Sequence, residues 1–381
     1  MKKLLFFTLA LVVACTAAMA APVDVMSAKI KALQCIQKEI AGGRLMSVGN
    51  SNPTLIKTEM GENSKAPVFY IFNTEQTFVI VSGDDRAEEI LAVGDAPLNL
   101  DRIPANMQVW LDGYKEQLDW LLCNPDAKVE KASDSHSPSK ATYGPMLTNN
   151  WDQSAPYYNQ CKFTYNNREY QCVTGCPATS AAMVMYFWKW PVSQVGPLAS
   201  YTNTLDIGTT YSNEVNYTYP SLPATTFDWA NMKDTYRSYT TAEANAVATL
   251  MRYVGQAEQM AYGVSGSGIL TTQSQRIVNM FKTFGYNQNT VRLVSKSNYN
   301  ETNWASLLQT EMAEGRPVVY LAVSSTGGGH AFNVDGYRSS DNTYHINFGW
   351  SGSGNNWCVM NAFTSANSST GQSGSYTFNQ G

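Results

Sequence analysis

The sequence predicts an α+β chain built from two domains. Three observations carry that prediction: apolar residues recur at helical spacing in some segments, β-rich runs bracket polar turns in others, and a charged, proline-punctuated stretch divides the chain. At 381 residues the chain is long enough for two cores. A hydrophobic share of 44% against 15% charged residues marks it as folded.

The first helix is predicted over Val23 to Ile40, where Met26, Ile30, Leu33, Ile36 and Ile40 repeat at helical spacing and Gly42-Gly43 provides a stop. Val68 to Phe72 and Phe78 to Val81 flank Asn73-Thr74-Glu75-Gln76, which predicts a hairpin. A second helix over Met107 to Leu122 closes a small α+β domain. Residues 124–140 are charged, serine-rich and broken by Pro125 and Pro138, so they are expected to be an exposed linker open to proteolytic cleavage. Beyond it the composition shifts: residues 141–381 hold 12 Lys/Arg and 13 Asp/Glu, and no formally charged side chain follows Asp341. That suits a β-rich extracellular domain with uncharged polar surfaces. The expected division is 1–20, 21–123, 124–140 and 141–381.

Lys2 and Lys3, the apolar run from Leu4 to Ala14, and Ala18-Met19-Ala20 before Ala21 have the layout of a cleaved export signal, so a secreted protein is expected. The run is too short for a membrane span. Val12-Val13-Ala14-Cys15 also has the look of a lipoprotein processing site, which makes a lipid anchor at Cys15 the minority alternative. A net charge of −4 offers no basic stripe for a phosphate backbone, and nucleic acid is not an expected partner.

Once the signal is removed, Cys35, Cys123, Cys161, Cys172, Cys176 and Cys358 remain. In an exported protein the plainest account of an even number is disulfide pairing. Against it stands Thr174-Gly175-Cys176-Pro177, followed by an Ala- and Met-rich run that Pro191 ends. Pro177 fits the first helical position, which puts Cys176 at the N-cap, where free amides and the dipole favour a thiolate. Gly175 is expected to leave room for a substrate backbone. A bridge between Cys161 and Cys172 would leave Cys176 free. Cysteine separations of 11 and 4 do not match the short paired spacing of a structural zinc site, and neither metal nor cofactor is expected.

Only three histidines compete for the role of base. His136 lies in the linker. His345 belongs to an alternating run and is expected as a half-buried strand residue beside Asn347. His330 follows Gly327-Gly328-Gly329 and opens a β-rich run, so a rigid strand is expected to hold its ring. The glycine run lacks the lysine and helix of a phosphate-binding loop.

With these residues in place, the chain resembles the streptopain family of papain-like cysteine peptidases, and within it the interpain-type enzymes. Four ordered segments carry the likeness: Trp151 to Asn159, Thr174-Gly175-Cys176 with its helix, Gly328 to Phe332 with Asp335-Gly336-Tyr337, and Ile346-Asn347-Phe348-Gly349-Trp350. The resemblance implies a papain-like catalytic domain, with a helical part and an antiparallel β part, preceded by a smaller α+β propeptide domain. It implies a peptidase made as a zymogen, with protein or peptide substrates and its own propeptide as inhibitor. Cys176 would be the nucleophile and His330 the base, with Gln153 supplying an oxyanion donor and Asn347 or Trp350 orienting or shielding His330. The propeptide would hold His330 away from its working position. Two positions depart from the pattern: Phe348 replaces a second tryptophan, and Pro177 replaces a small aliphatic residue. Tyr262 to Gly268 reads equally as a glycine-rich wall of the substrate pocket or as a surface loop. The alternatives are amide transfer, as in transglutaminase-like folds with Asp335 or Asp341 as third member, and a catalytically dead binding or inhibitor protein.

Overall fold

The computed structural model describes residues 22–46, 51–131, 141–208, 213–323 and 329–365. The expected export signal with Cys15, the linker histidine His136 and the glycines at 327 and 328 lie outside these residues. The N-terminal unit runs through α1 (Val25–Ala41), β1 (Thr54–Met60), β2 (Pro67–Asn73), β3 (Phe78–Ser82), β4 (Ile90–Gly94) and α2 (Ala105–Cys123). Asp24 caps α1 by accepting the Met26 and Ser27 amides. The short strands β5 (Val129–Glu130) and β6 (Thr142–Tyr143) and the hairpin β7 (Lys162–Tyr165) and β8 (Arg168–Gln171) lead to α3 (Cys176–Trp188). Then come β9 (Tyr201–Asp206), β10 (Glu214–Tyr219), α4 (Thr241–Ala257), β11 (Tyr262–Gly263), α5 (Gln275–Thr283) and α6 (Glu301–Ala313). The chain continues with β12 (Val318–Val323), β13 (Gly329–Arg338), β14 (Thr343–Asn347), β15 (Asn356–Cys358) and β16 (Thr364–Ser365).

The two expected domains share one sheet. Its nine strands run β1-β2-β3-β4-β15-β14-β13-β12, with β6 added on β13. The seam is the antiparallel pair β4–β15, where Asn356, Trp357 and Cys358 face Gly94, Val93 and Ala92. One core is therefore common to both domains, and each domain keeps a further core of its own. Under α2 and α6, Phe69, Ile71, Ile80, Trp110 and Tyr114 pack in one buried cluster with Tyr320, Phe332, Val334, Ile346 and Phe348. The opposite face of β2, β3 and β4 packs on α1 through Tyr70, Phe72, Val79, Val81 and Val93. Because both faces of these strands are covered, their sequences are near-continuous apolar runs. The far side of β12 and β13 packs against α3, α4 and α5.

The first residues of the expected linker, 124–130, are anchored, though Pro125, Asp126, Lys128 and Glu130 are exposed. Arg86 grips Asp84 with two nitrogens and donates to the carbonyls of Leu121, Asn124 and Pro125. Ala127 and Val129 pack on the core, and β5 pairs with β16. Residues 124–130 are therefore held in place by backbone hydrogen bonding and apolar burial.

Candidate active site

α3 begins at Cys176, one residue earlier than expected, with Gly175 as N-cap and Pro177 in the first turn. Gly175 has φ +86°, and a Cβ there would lie 2.4 Å from Met260 Cε and 2.7 Å from the Ser267 carbonyl oxygen. The glycine is required by backbone conformation and by packing, not by substrate approach. The Ser267 hydroxyl also donates to the Val173 carbonyl, and the Val173 amide donates to Gly263. The Tyr262–Gly268 turn is thus fastened directly beside the segment that delivers Cys176.

All six described cysteines are free thiols. Cys161 and Cys172 continue the β7–β8 register and face each other, with the Cys172 amide donating to the Cys161 carbonyl at 2.8 Å. The expected bridge between them is therefore absent, and Cys176 is free without it.

The Cys176 Sγ accepts a hydrogen bond from the Ala331 amide at 3.4 Å. Ala331 follows His330, so β13 brings the base candidate to the nucleophile by its backbone. Strand alternation places His330 with Phe332 and Val334 on the α2 face, whereas Asn333 on the other face donates to the Ser180 carbonyl of α3. Among the described residues no hydrogen bond joins the His330 ring to Cys176. Burial pushes the Cys176 thiol up to about 11, against the pull of the Ala331 and Cys176 amides. Burial also lowers His330, which favours neutral imidazole. In the precursor, desolvation works against the depressed thiol value expected from the helix terminus.

Asn106 on α2 explains where β13 is held. Its buried amide donates to the Ala331 carbonyl at 3.2 Å and to the Phe348 carbonyl at 2.8 Å. The N-terminal domain thus grips β13 at Ala331, the residue immediately after His330. Nothing in the sequence marked Asn106, which reads as an ordinary polar helix residue.

Gln153 is tied to the nucleophile segment, its carbonyl accepting the Thr174 amide at 3.1 Å. Asn347 is buried and fully engaged, donating to the Asn149 carbonyl and accepting the Gly349 amide. Among the described residues those bonds hold a turn together rather than orient His330. Trp350 packs at the edge of the shared core, and Phe348 is buried 5.6 Å from Phe332.

His345 is fully buried rather than half-buried. Its Nδ1 donates to Asp335 at 2.5 Å and its Nε2 to Asp95 of the N-terminal domain at 2.8 Å. Burial opposes its charge, but the two carboxylates raise it to about 10. Alongside, Arg338 joins Asp341 and the buried Glu39 of α1, and Arg44 bridges Glu39 and Asp95. Asp335 and Asp341 are consumed by these contacts, which leaves neither as a third member beside His330.

The comparisons with known proteins place the chain in a family. The peptidase C10 family model matches residues 151–358, and the Spi protease inhibitor model matches residues 20–118. Streptopain of Streptococcus pyogenes is 27% identical over 363 residues, covering 90% of this chain and 86% of the relative. The thiol protease/hemagglutinin PrtT of Porphyromonas gingivalis is 28% identical over 82% of this chain, which spans 36% of that longer protein. A prointerpain A fragment of Prevotella intermedia superposes with a TM-score of 0.62 at 28% identity, covering 81% of this chain and 92% of the fragment. The chain belongs to the peptidase C10 family of cysteine peptidases, with an inhibitor-like propeptide as its N-terminal domain.

Proposed function

We propose that Cys176 and His330 form the reacting pair of this zymogen cysteine endopeptidase, and that the propeptide keeps them unpaired. The observation that carries the reading is the Ala331 amide on Cys176 Sγ, with Asn106 holding the other side of the same strand residue. Removing α2 frees the Ala331 and Phe348 carbonyls and uncovers the face on which His330 lies. His330 then turns to Cys176, takes its proton and leaves a thiolate to attack a peptide carbonyl. The Cys176 amide and the Gln153 side chain receive the oxyanion, His330 protonates the leaving amine, and water releases the acyl group. Asn347 and Trp350 act by holding the turn around Phe348 against this strand. The Tyr262–Gly268 turn forms a wall of the substrate pocket.

The export signal layout supports secretion of the precursor, free rather than anchored at Cys15. Maturation requires cleavage between the two anchored stretches, because residues 124–130 are clasped by Arg86 and β16, while Thr142 and Tyr143 pair with β13. Incubating the purified precursor and its Cys176→Ala variant with casein tests the assignment. Casein cleavage and a new N-terminus within residues 131–142 are expected from the parent only. Equal cleavage by the variant would overturn it.

A further inference from the structure

Glu258 caps the C-terminal end of α4 and is fully buried, and among the described residues neither of its carboxyl oxygens has a hydrogen-bond partner. A buried carboxyl without a partner is costly, and the negative end of a helix dipole makes its ionisation costlier. The segment it opens is the one that packs on the nucleophile. Met260, two residues on, closes its turn on the Gly255 carbonyl and fills the space a side chain on Gly175 would need. The turn that follows α4 therefore lies against the N-terminus of α3 through Met260 and Gly175, the residue before Cys176, and a charge on Glu258 raises the Cys176 thiol, less than burial does.

The surrounding charges are few. Arg252, on α4, turns to Gln256 and lies over the Phe163 and Tyr262 rings, and the Asp206 carboxyl accepts the Gly208 amide. Among the described residues no cation pairs with Glu258. Burial alone raises Glu258 to about 8.

We propose that Glu258 is a positioning residue for the reaction, a buried acid that leaves the Cys176 thiolate unopposed while it holds its proton and opposes it once ionised. The coupling is reciprocal: a thiolate at Cys176 makes Glu258 hold its proton more firmly, so the pair resists ionising together. The consequence is an alkaline limit on reactivity set from beneath the nucleophile, separate from the loss of the His330 proton. The inference rests on Cys176 being the nucleophile, which the Cys176→Ala comparison tests on its own.

The experiment compares mature parent enzyme with Glu258→Gln, which keeps shape and removes the titration. Cys176 alkylation by iodoacetamide and kcat/KM for a peptide substrate are followed from about pH 6 to about pH 10. The variant should react several-fold faster than the parent at the alkaline end, with the difference shrinking toward the acidic end. Superimposable profiles would overturn the proposal. Infrared difference spectra of parent and variant at neutral pH should show one protonated carboxyl in the parent, and its absence would also overturn it. Should the variant not fold, the parent alone suffices. Capping Cys176 as a neutral methyl disulfide should lower the pH at which that carboxyl band disappears, and no shift would contradict the coupling.

Discussion

His330 and His345 sit on adjacent strands of one sheet and meet opposite electrostatic surroundings. His330 is half-buried, makes no hydrogen bond to Cys176 among the described residues, and is held low by desolvation. His345 is buried between Asp335 and Asp95 and is held charged. The difference shows how latency is built. Fixed charges are placed where the propeptide docks, at β14 and the end of β4, while the His330 ring, the proposed base, makes no hydrogen bond to Cys176 among the described residues. A buried ion pair is weak grounds for stability by itself, but breaking one leaves an uncompensated charge and so resists separation of the domains.

The comparison breaks most completely at the nucleophile. Cys176→Ala should abolish peptide hydrolysis and self-maturation, read as loss of casein cleavage and an unprocessed mass. Next is Trp110, whose ring lies 5.8 Å from Phe332 and 6.3 Å from Tyr114 in the core the two domains share. In the Cys176→Ala background Trp110→Ala should cost about 3–5 kcal/mol, seen as a lower midpoint in urea unfolding. Asn106→Ala leaves two buried carbonyls without a donor and should cost about 1–3 kcal/mol. In an otherwise intact chain it should speed Cys176 alkylation before any cleavage.

The docking histidine gives the pH prediction. A histidine held above its ordinary 6.5 contributes fully below that pH and loses its contribution as pH climbs toward about 10. Asp95 is held low: burial resists its charge, but His345 outweighs burial, so its contribution is lost only below the ordinary carboxylate range. The hold is therefore firmest in mildly acidic solution, and the Cys176→Ala zymogen should unfold more easily as pH rises from about 6.5 to about 10. Asp95→Asn should flatten that slope and weaken docking by about 1 kcal/mol, since Asp95 is partly exposed. The smallest effect is expected at Lys162–Glu169, an exposed pair, where Lys162→Ala should change stability by less than about 0.5 kcal/mol.

Local signals in the sequence translated well into local structure. Helical periodicity located α1 and α2 to within a few residues, and the polar turn at Asn73–Gln76 placed the β2–β3 hairpin. The Gly-Cys-Pro start of α3 and the glycine-led β13 were legible one by one, because each is set by nearby backbone preferences, whereas the contact between them spans 155 residues. What escaped depends on distance along the chain. The β4–β15 seam is only a few residues long and joins strands far apart in sequence. Asp95 meets His345 across 250 residues, and Asn106 reaches Ala331 across 225. No periodicity or turn chemistry announces such contacts. The surroundings of the thiol divide in the same way: the helix terminus is legible in sequence, whereas the burial that works against it in the precursor is a property of the assembled domains.

The most direct test of the account is the rate of Cys176 alkylation by iodoacetamide at mildly acidic pH, measured on the same preparation before and after maturation and on mature His330→Ala. The zymogen and the His330→Ala enzyme should both react slowly, and the mature parent fast, because only there does the imidazole pair with the thiol. Equally fast alkylation of the zymogen and the mature enzyme would contradict the claim that the propeptide keeps Cys176 and His330 apart.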